Sequence, residues 1–202
     1  MICVSVNCSV FLKSFIGSHK DKDMNKQGTN LIESLKAAIR EIPDWPKPGI
    51  LFYDITTLLK QGNCFAQAID ALSTPYKDKK IDIVLGMEAR GFIFAPTVAY
   101  ALGAGFVPVR KPGKLPAEKL RVDYELEYGT DSLEIHKDAI MPGQRVLIVD
   151  DLIATGGTAK AVAEMVELMN ATVEGFAFMV ELTFLKGREK VGEYAIHSLL
   201  KY

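Results

Sequence analysis

Val146-Leu147-Ile148-Val149-Asp150-Asp151-Leu152-Ile153-Ala154-Thr155-Gly156-Gly157-Thr158 is the stretch on which the fold turns. Four successive β-branched or leucine residues without polar alternation read as a strand buried on both faces, as strands inside parallel sheets are. Asp150 and Asp151 mark its expected end. Hydroxyls and glycines follow at Thr155 to Thr158, and from Ala159 to Asn170 the apolar Val162, Met165, Val166 and Met169 fall at helical spacing. The order is strand, acid pair, glycine-rich loop, helix. Free amides at a helix start, with glycines that let a phosphate approach the backbone, form an anion site. The acids before it suit sugar hydroxyls or a bound metal. Strand, loop and helix with glycines alone are ordinary α/β punctuation, and it is the added acids and hydroxyls that set this stretch apart.

A chain of 202 residues has room for one α/β domain with a good core. Lys and Arg total 24 against 25 for Asp and Glu, a net charge of −1 that gives no bias toward nucleic acid or anionic membrane. Any basic site must be local. Cys3, Cys8 and Cys64 form no C-x-x-C pair, which fits a reduced, cytoplasmic protein. His19, His136 and His197 are too scattered for a metal cluster and read as surface or packing residues. Residues 1–23 have neither the flanks of a secretory signal nor an apolar run long enough to span a bilayer. They are expected to be a loosely ordered extension, with the working start at Met24 and a single domain over 24–202.

Along the chain, Asn30 with Glu33 resembles a capping box opening a helix whose apolar face is Leu31, Leu35, Ala38, Ile39 and Ile42, and which is expected to end at Pro43. The proline-rich run from Pro43 to Gly49 is irregular and leads into an apolar loop, Ile50 to Thr57, that lines either a pocket or the core. Cys64 to Leu72 is helix-like. Ile81 to Leu85 reads as a core strand, broken by Gly86-Met87-Glu88-Ala89-Arg90-Gly91 before a helix over Phe92 to Leu102. That glycine-flanked turn is either a second anion loop or the seat of a surface ion pair at Arg90. Phe106 to Val109 is a short strand with Arg110-Lys111-Pro112-Gly113-Lys114 at its end, which is either a polyanion site or a solvated charge run. Leu120 to Tyr128 and Ser132 to Ile135 form a hairpin around Gly129-Thr130, suited to a flap carrying Glu125, Glu127 and Tyr128. Gly175 to Leu182 and Tyr194 to Leu200 are further strands, with a charged turn over Lys186 to Lys190 between them. Strands alternating with helices predict a mostly parallel sheet, whose ligands sit at the carboxyl ends of the strands. The turn at Glu88, the cations from Arg110 and the loop from Asp150 all lie at such ends.

The central loop lacks the lysine of a nucleoside-triphosphatase loop and contains no G-x-G-x-x-G. It offers amides and hydroxyls to one monophosphate and carboxylates to a diol, while cations for a more negative phosphate come from other loops. A ligand with a 5-phosphate, ribose hydroxyls and a pyrophosphate fits.

Val146 to Ala159 resembles the phosphoribosyl pyrophosphate signature of type I phosphoribosyltransferases. Residues 28–202 are similar to the adenine-using branch of that family through Pro48 to Thr56, Gly86 to Phe92, Arg110 to Pro116, Leu126 to Gly129 and Val180 to Thr183. The resemblance implies an α/β fold of the type I phosphoribosyltransferase kind, with a mostly parallel sheet flanked by helices and a β-hairpin hood. It implies purine salvage: adenine and phosphoribosyl pyrophosphate become AMP and pyrophosphate through an oxocarbenium-like state. By that resemblance Ala154, Thr155, Gly156, Gly157 and Thr158 hold the 5-phosphate, and Asp150 and Asp151 face the ribose hydroxyls. Glu88, Ala89 and Arg90, joined by a cis peptide at Glu88-Ala89, meet the pyrophosphate, with Arg110, Lys111 and Lys114 as neutralising cations. Magnesium is bound mostly through substrate and water, with Asp150 and Asp151 as protein donors. Leu51 and Phe52 contact adenine with Leu182 packing on it, and Arg90 and Lys111 join Glu127 in the catalytic set. The hypoxanthine-guanine branch carries an aspartate where Ala154 stands, so the general acid/base is expected in the flap, at Glu127 beside Tyr128. The family commonly has arginine where this chain has Tyr53, which reassigns or removes that side chain's task. A homodimer, with no nucleic acid or membrane partner, is also implied. The alternatives are use of xanthine or another purine, and a non-catalytic regulator that senses phosphoribosyl pyrophosphate.

Overall fold

The computed structural model describes residues 30–125 and 129–202, so the expectations for residues 1–23, Glu127 and Tyr128 lie outside the described residues. The chain divides into two compact units between Cys64 and Phe65.

In the first unit a helix over residues 30–37 (α1) follows the Asn30 signal but stops short of Pro43. Arg40–Pro43 (β1) is instead a strand, antiparallel to Leu51–Asp54 (β2). Two effects favour it. Ile42 precedes a proline, a position biased to extended backbone, and Arg40 stands opposite Asp54, its Nε donating to Oδ2 at 3.1 Å. The turn between the strands is closed by Asp44, whose Oδ1 accepts the Gly49 amide at 2.7 Å, and Trp45 packs edge-on against Phe52 at 4.4 Å. The supposed loop from Ile50 is therefore a strand. It leads into a short helix, Thr56–Leu59 (α2), whose first amide and hydroxyl donate to Asp54 Oδ1 at 3.0 and 2.7 Å. Those Thr56 bonds, then Arg40, hold the Asp54 carboxyl down at about 2.

The helix Gly62–Ser73 (α3) carries the division. After it come Ile83–Met87 (β3), Gly91–Leu102 (α4), Gly105–Val109 (β4), Lys119–Glu125 (β5), Thr130–His136 (β6), Arg145–Ile153 (β7), Gly157–Leu168 (α5), Thr172–Glu181 (β8), Gly187–Val191 (α6) and Ile196–Lys201 (β9). The expected parallel sheet is present, with strand order β4-β3-β7-β8-β9 and every neighbouring pair parallel. Strands β5 and β6 form the expected antiparallel hairpin.

Val146, Leu147, Ile148 and Val149 are all 0% exposed, as a continuous apolar run in a central strand requires. One face of the sheet, with Leu85, Met87, Val146, Ile148, Phe176 and Phe178, shares a core with Leu133 and Ile135 of the hairpin and Val162, Met165 and Val166 of α5. Helix α4 packs on β3 and β7. Strand β7 does not end at the acids; it continues through Asp150 and Asp151 to Ile153, because β8 keeps pairing with it as far as Ile153 and Glu181. The charged stretch from Lys186 is a short helix rather than a turn.

From β3 the chain passes outward to β4, and from β7 in the opposite direction to β8 and β9. The carboxyl ends of β3 and β7 thus flank a topological switch point, the position at which open α/β sheets bind ligands.

At the carboxyl end of β8 Glu181, 5% exposed, is held by a bidentate Arg188, with Nε at 2.6 Å and Nη2 at 2.7 Å, while Nη1 donates to the Ile196 carbonyl at 3.0 Å. The Arg188 bonds lower the Glu181 carboxyl below its ordinary value, so this pair contributes stability that is full above the ordinary glutamate range and is lost as pH falls from there through the lowered folded value. Arg188→Ala should strand a buried carboxylate and lower the unfolding free energy at pH 7 by about 3 kcal/mol. Urea melts at pH 7 and pH 4 check this: the deficit should shrink at pH 4, where the stranded carboxyl takes up a proton.

Candidate active site

A cleft of about 330 Å³ opens at the switch point, lined by residues 87–90 from the end of β3, residues 150–159 from β7 and the start of α5, and Lys111, Tyr124, Leu133 and Phe178. Glu88, Ala89, Arg90, Lys111, Asp150, Asp151 and the whole loop from Ala154 to Thr158 are thereby brought together. Arg110, Lys114 and Leu182 are not in this lining. Leu182 donates its amide to the Ile153 carbonyl at 3.0 Å, just beyond β8. Leu51 and Phe52 belong to β2 in the first unit.

The loop owes its shape to two glycines that touch across it. Gly156 has φ +80°, and a Cβ there would collide with the Gly187 carbonyl; a Cβ on Gly187 would collide with the carbonyl of Ala154. Neither position accepts a larger residue without moving backbone. The loop is thus braced from behind by the start of α6. The first helical bond of α5 runs from Lys160 to the Gly156 carbonyl at 3.0 Å. The amides of Gly157, Thr158 and Ala159 precede it, the arrangement in which a helix start can receive an anion.

Asp150 and Asp151 occupy the cleft floor. Asp150 Oδ1 accepts the Asp151 amide at 2.9 Å, and its closeness to α4 leaves room only for glycine at Gly91, where a Cβ would lie 2.6 Å from Oδ1. Desolvation, then the neighbouring Asp151 charge, pushes the Asp150 carboxyl well up. Asp151 pairs with Arg90 Nε at 2.7 Å; desolvation still raises its carboxyl, with the guanidinium pulling the other way.

The Glu88-Ala89 peptide is cis, as the resemblance implied. Glu88 gathers the cationic run: its carboxylate accepts from Lys114, from Arg110 Nε at 3.3 Å and from the Lys111 amide at 3.2 Å. Lys114 foremost holds this carboxyl down to about 2, against the desolvation that raises it. Lys111 pairs instead with Asp131. Arg90 lines the cleft and makes its ion pair with Asp151 there.

For magnesium, the described residues contain no cluster of three or more acidic, histidine or cysteine ligands. Asp150 and Asp151 supply hard oxygen donors, which fits an ion that takes most of its ligands from substrate and water.

Sequence reasoning missed Tyr124, Leu133 and Phe178 in the lining and the brace at Gly187. Phe178 was legible as a residue of a core strand, whereas its pairing with Asp150 comes from the sheet register. Gly187 carried a weak signal, a lone glycine inside a charged run, and its partner across the loop was invisible.

The phosphoribosyl transferase domain family matches residues 54–194. An adenine phosphoribosyltransferase of Solibacter usitatus is 65% identical over 168 residues, 83% of this chain and 97% of that protein. The crystal structure of adenine phosphoribosyltransferase from Thermoanaerobacter pseudethanolicus superposes with a TM-score of 0.82 at 57% identity, covering 85% of this chain and 99% of that one. That from Saccharomyces cerevisiae, complexed with an imino-altritol bisphosphate and adenine, gives 0.80 at 46% identity, with 85% and 99% covered. The chain belongs to the adenine phosphoribosyltransferases, glycosyltransferase-class enzymes built on the phosphoribosyl transferase domain.

Proposed function

We propose that the protein transfers the phosphoribosyl group of phosphoribosyl pyrophosphate to N9 of adenine, releasing AMP and pyrophosphate in purine salvage. The observation that carries this reading is a single cleft at the switch point that joins a helix-start loop, an acid pair and a cation-bearing turn. Each part matches one charge on the substrate. The amides and hydroxyls of Ala154 to Thr158 take the 5-phosphate. Asp150 and Asp151 accept from the ribose hydroxyls. Arg90 and Lys111 face the pyrophosphate. Arg110 and Lys114, gathered on Glu88, add positive potential from behind it, so Glu88 acts by arranging donors rather than by touching an anion of its own sign.

Departure of pyrophosphate leaves positive charge on the sugar and negative charge on the leaving group, and fixed groups that meet both lower the barrier. Asp150 and Asp151 would hold magnesium together with substrate and water, and the ion would supply positive charge to the leaving group. Leu182 packs on the adenine, and main-chain groups read its exocyclic amine. Ala154 leaves the loop without a carboxylate near the base. We assign the proton to Glu127. Cytoplasmic residence and a homodimer complete the reading; thiols such as Cys64 stay reduced in that compartment, and paired copies are the commonest closed assembly.

Incubating the purified protein with phosphoribosyl pyrophosphate, magnesium and each of adenine, hypoxanthine, guanine, xanthine and orotate tests the reading. AMP should form from adenine alone, and chelation of magnesium should stop it. Conversion of xanthine in place of adenine would move the protein to a sibling activity, and tight DNA binding without turnover would favour a regulator. Glu127→Ala should lower turnover by about 100-fold or more while leaving phosphoribosyl pyrophosphate binding within about twofold by calorimetry; undiminished turnover would remove its proton role.

A further inference from the structure

Two side chains at the edge of the cleft, Tyr124 and Asp131, have no part in the roles assigned above. Tyr124 on β5 and Asp131 on β6 are direct cross-strand partners, so both side chains leave the hairpin on one face. A single carboxylate oxygen, Asp131 Oδ2, receives the Lys111 ammonium and, at 3.3 Å, the Tyr124 hydroxyl. The other oxygen, Oδ1, accepts the Ser132 amide at 2.8 Å, which fixes the carboxylate plane. The Tyr124 hydroxyl in turn lies 3.5 Å from the Thr158 hydroxyl, which donates to it from the loop at the start of α5. Lys111, Tyr124 and Thr158 line the cleft; Asp131 does not.

We propose that Asp131 is a positioning residue that pre-orders Lys111 for the pyrophosphate and, through Tyr124, ties the hood hairpin to the 5-phosphate loop. This rests on the function proposed above. An ammonium has three donors, so Lys111 can keep its bond to Asp131 and still present N–H groups to a phosphate. A lysine that must be immobilised on binding costs about 0.5–1.5 kcal/mol in side-chain freedom, and Asp131 meets that cost before the substrate arrives. The same carboxylate opposes a polyanion by repulsion. Being 28% exposed at its side chain, it is screened by solvent, so ordering of the lysine outweighs repulsion. Burial pushes the Lys111 ammonium toward losing its proton, and the Asp131 bond reverses that, keeping it charged.

The test is calorimetric titration of the full-length protein with phosphoribosyl pyrophosphate in magnesium buffer, for the unaltered chain, Asp131→Ala, Lys111→Ala and the double variant, with Asp131→Asn as the shape-preserving control. Asp131→Ala should weaken binding about tenfold, and Asp131→Asn should weaken it less. In the Lys111→Ala background the loss of Asp131 should change binding less than about twofold, and the KM for adenine should be unmoved. A structural role alone would weaken binding equally in both backgrounds and lower the melting temperature of Asp131→Asn; that result, unchanged binding, or the tighter binding that repulsion predicts, would overturn the proposal. No binding by the unaltered chain would remove the proposed function itself, and this inference with it.

Discussion

Strand β7 is paired on both edges and buried on both faces, and the acid pair and glycine loop of the cleft take their positions from where that strand runs out. Val146 to Val149 cannot shift register without moving an apolar side chain out of one of two cores. Pairing with β8 then carries the regular backbone past Asp150 and Asp151 to Ile153, which puts two carboxylates on a rigid strand rather than on a loop. The glycine loop follows at once, pinned by the close approach of Gly156 and Gly187. A loop so held keeps its backbone amides in place, and preorganised donors of that kind are what electrostatic catalysis demands.

The second organising feature is that the cations of the site are held by carboxylates of their own chain. Arg90 lies on Asp151, Arg110 and Lys114 on Glu88, and Lys111 on Asp131. Long side chains so fixed lose little further freedom on binding. They also leave the protein near neutral overall, consistent with a net charge of −1, although a polyanion is its substrate. A basic footprint is absent from the composition because the basic site is local and internally balanced.

Much of this was legible in the sequence, for reasons that differ between elements. The unbroken apolar run of β7 and the helical spacing of Val162, Met165 and Val166 state a parallel-sheet strand and a covering helix directly. The glycine and hydroxyl pattern from Thr155 to Thr158 states an anion loop. The helix from Asn30 was overextended because Ala38, Ile39 and Ile42 keep a helical period, whereas the pairing that wins, Arg40 opposite Asp54, comes from residues farther along the chain. Asp150 and Asp151 were placed after the strand rather than in it because the ladder that prolongs β7 is supplied by β8. Tyr124 and Asp131 escaped notice for the same reason: their meeting is a matter of hairpin register, and neither residue type is distinctive alone.

The central claim is that one cleft at the ends of β3 and β7 holds both charged ends of phosphoribosyl pyrophosphate, with the 5-phosphate on the α5 start. A crystal structure of the protein with magnesium, adenine and a non-hydrolysable phosphoribosyl pyrophosphate analogue tests it most directly. The 5-phosphate should lie within hydrogen-bond reach of the Gly157 and Thr158 amides, with the pyrophosphate beside Arg90 and Lys111. An analogue bound in the reverse orientation, or away from residues 154–158, would contradict the account.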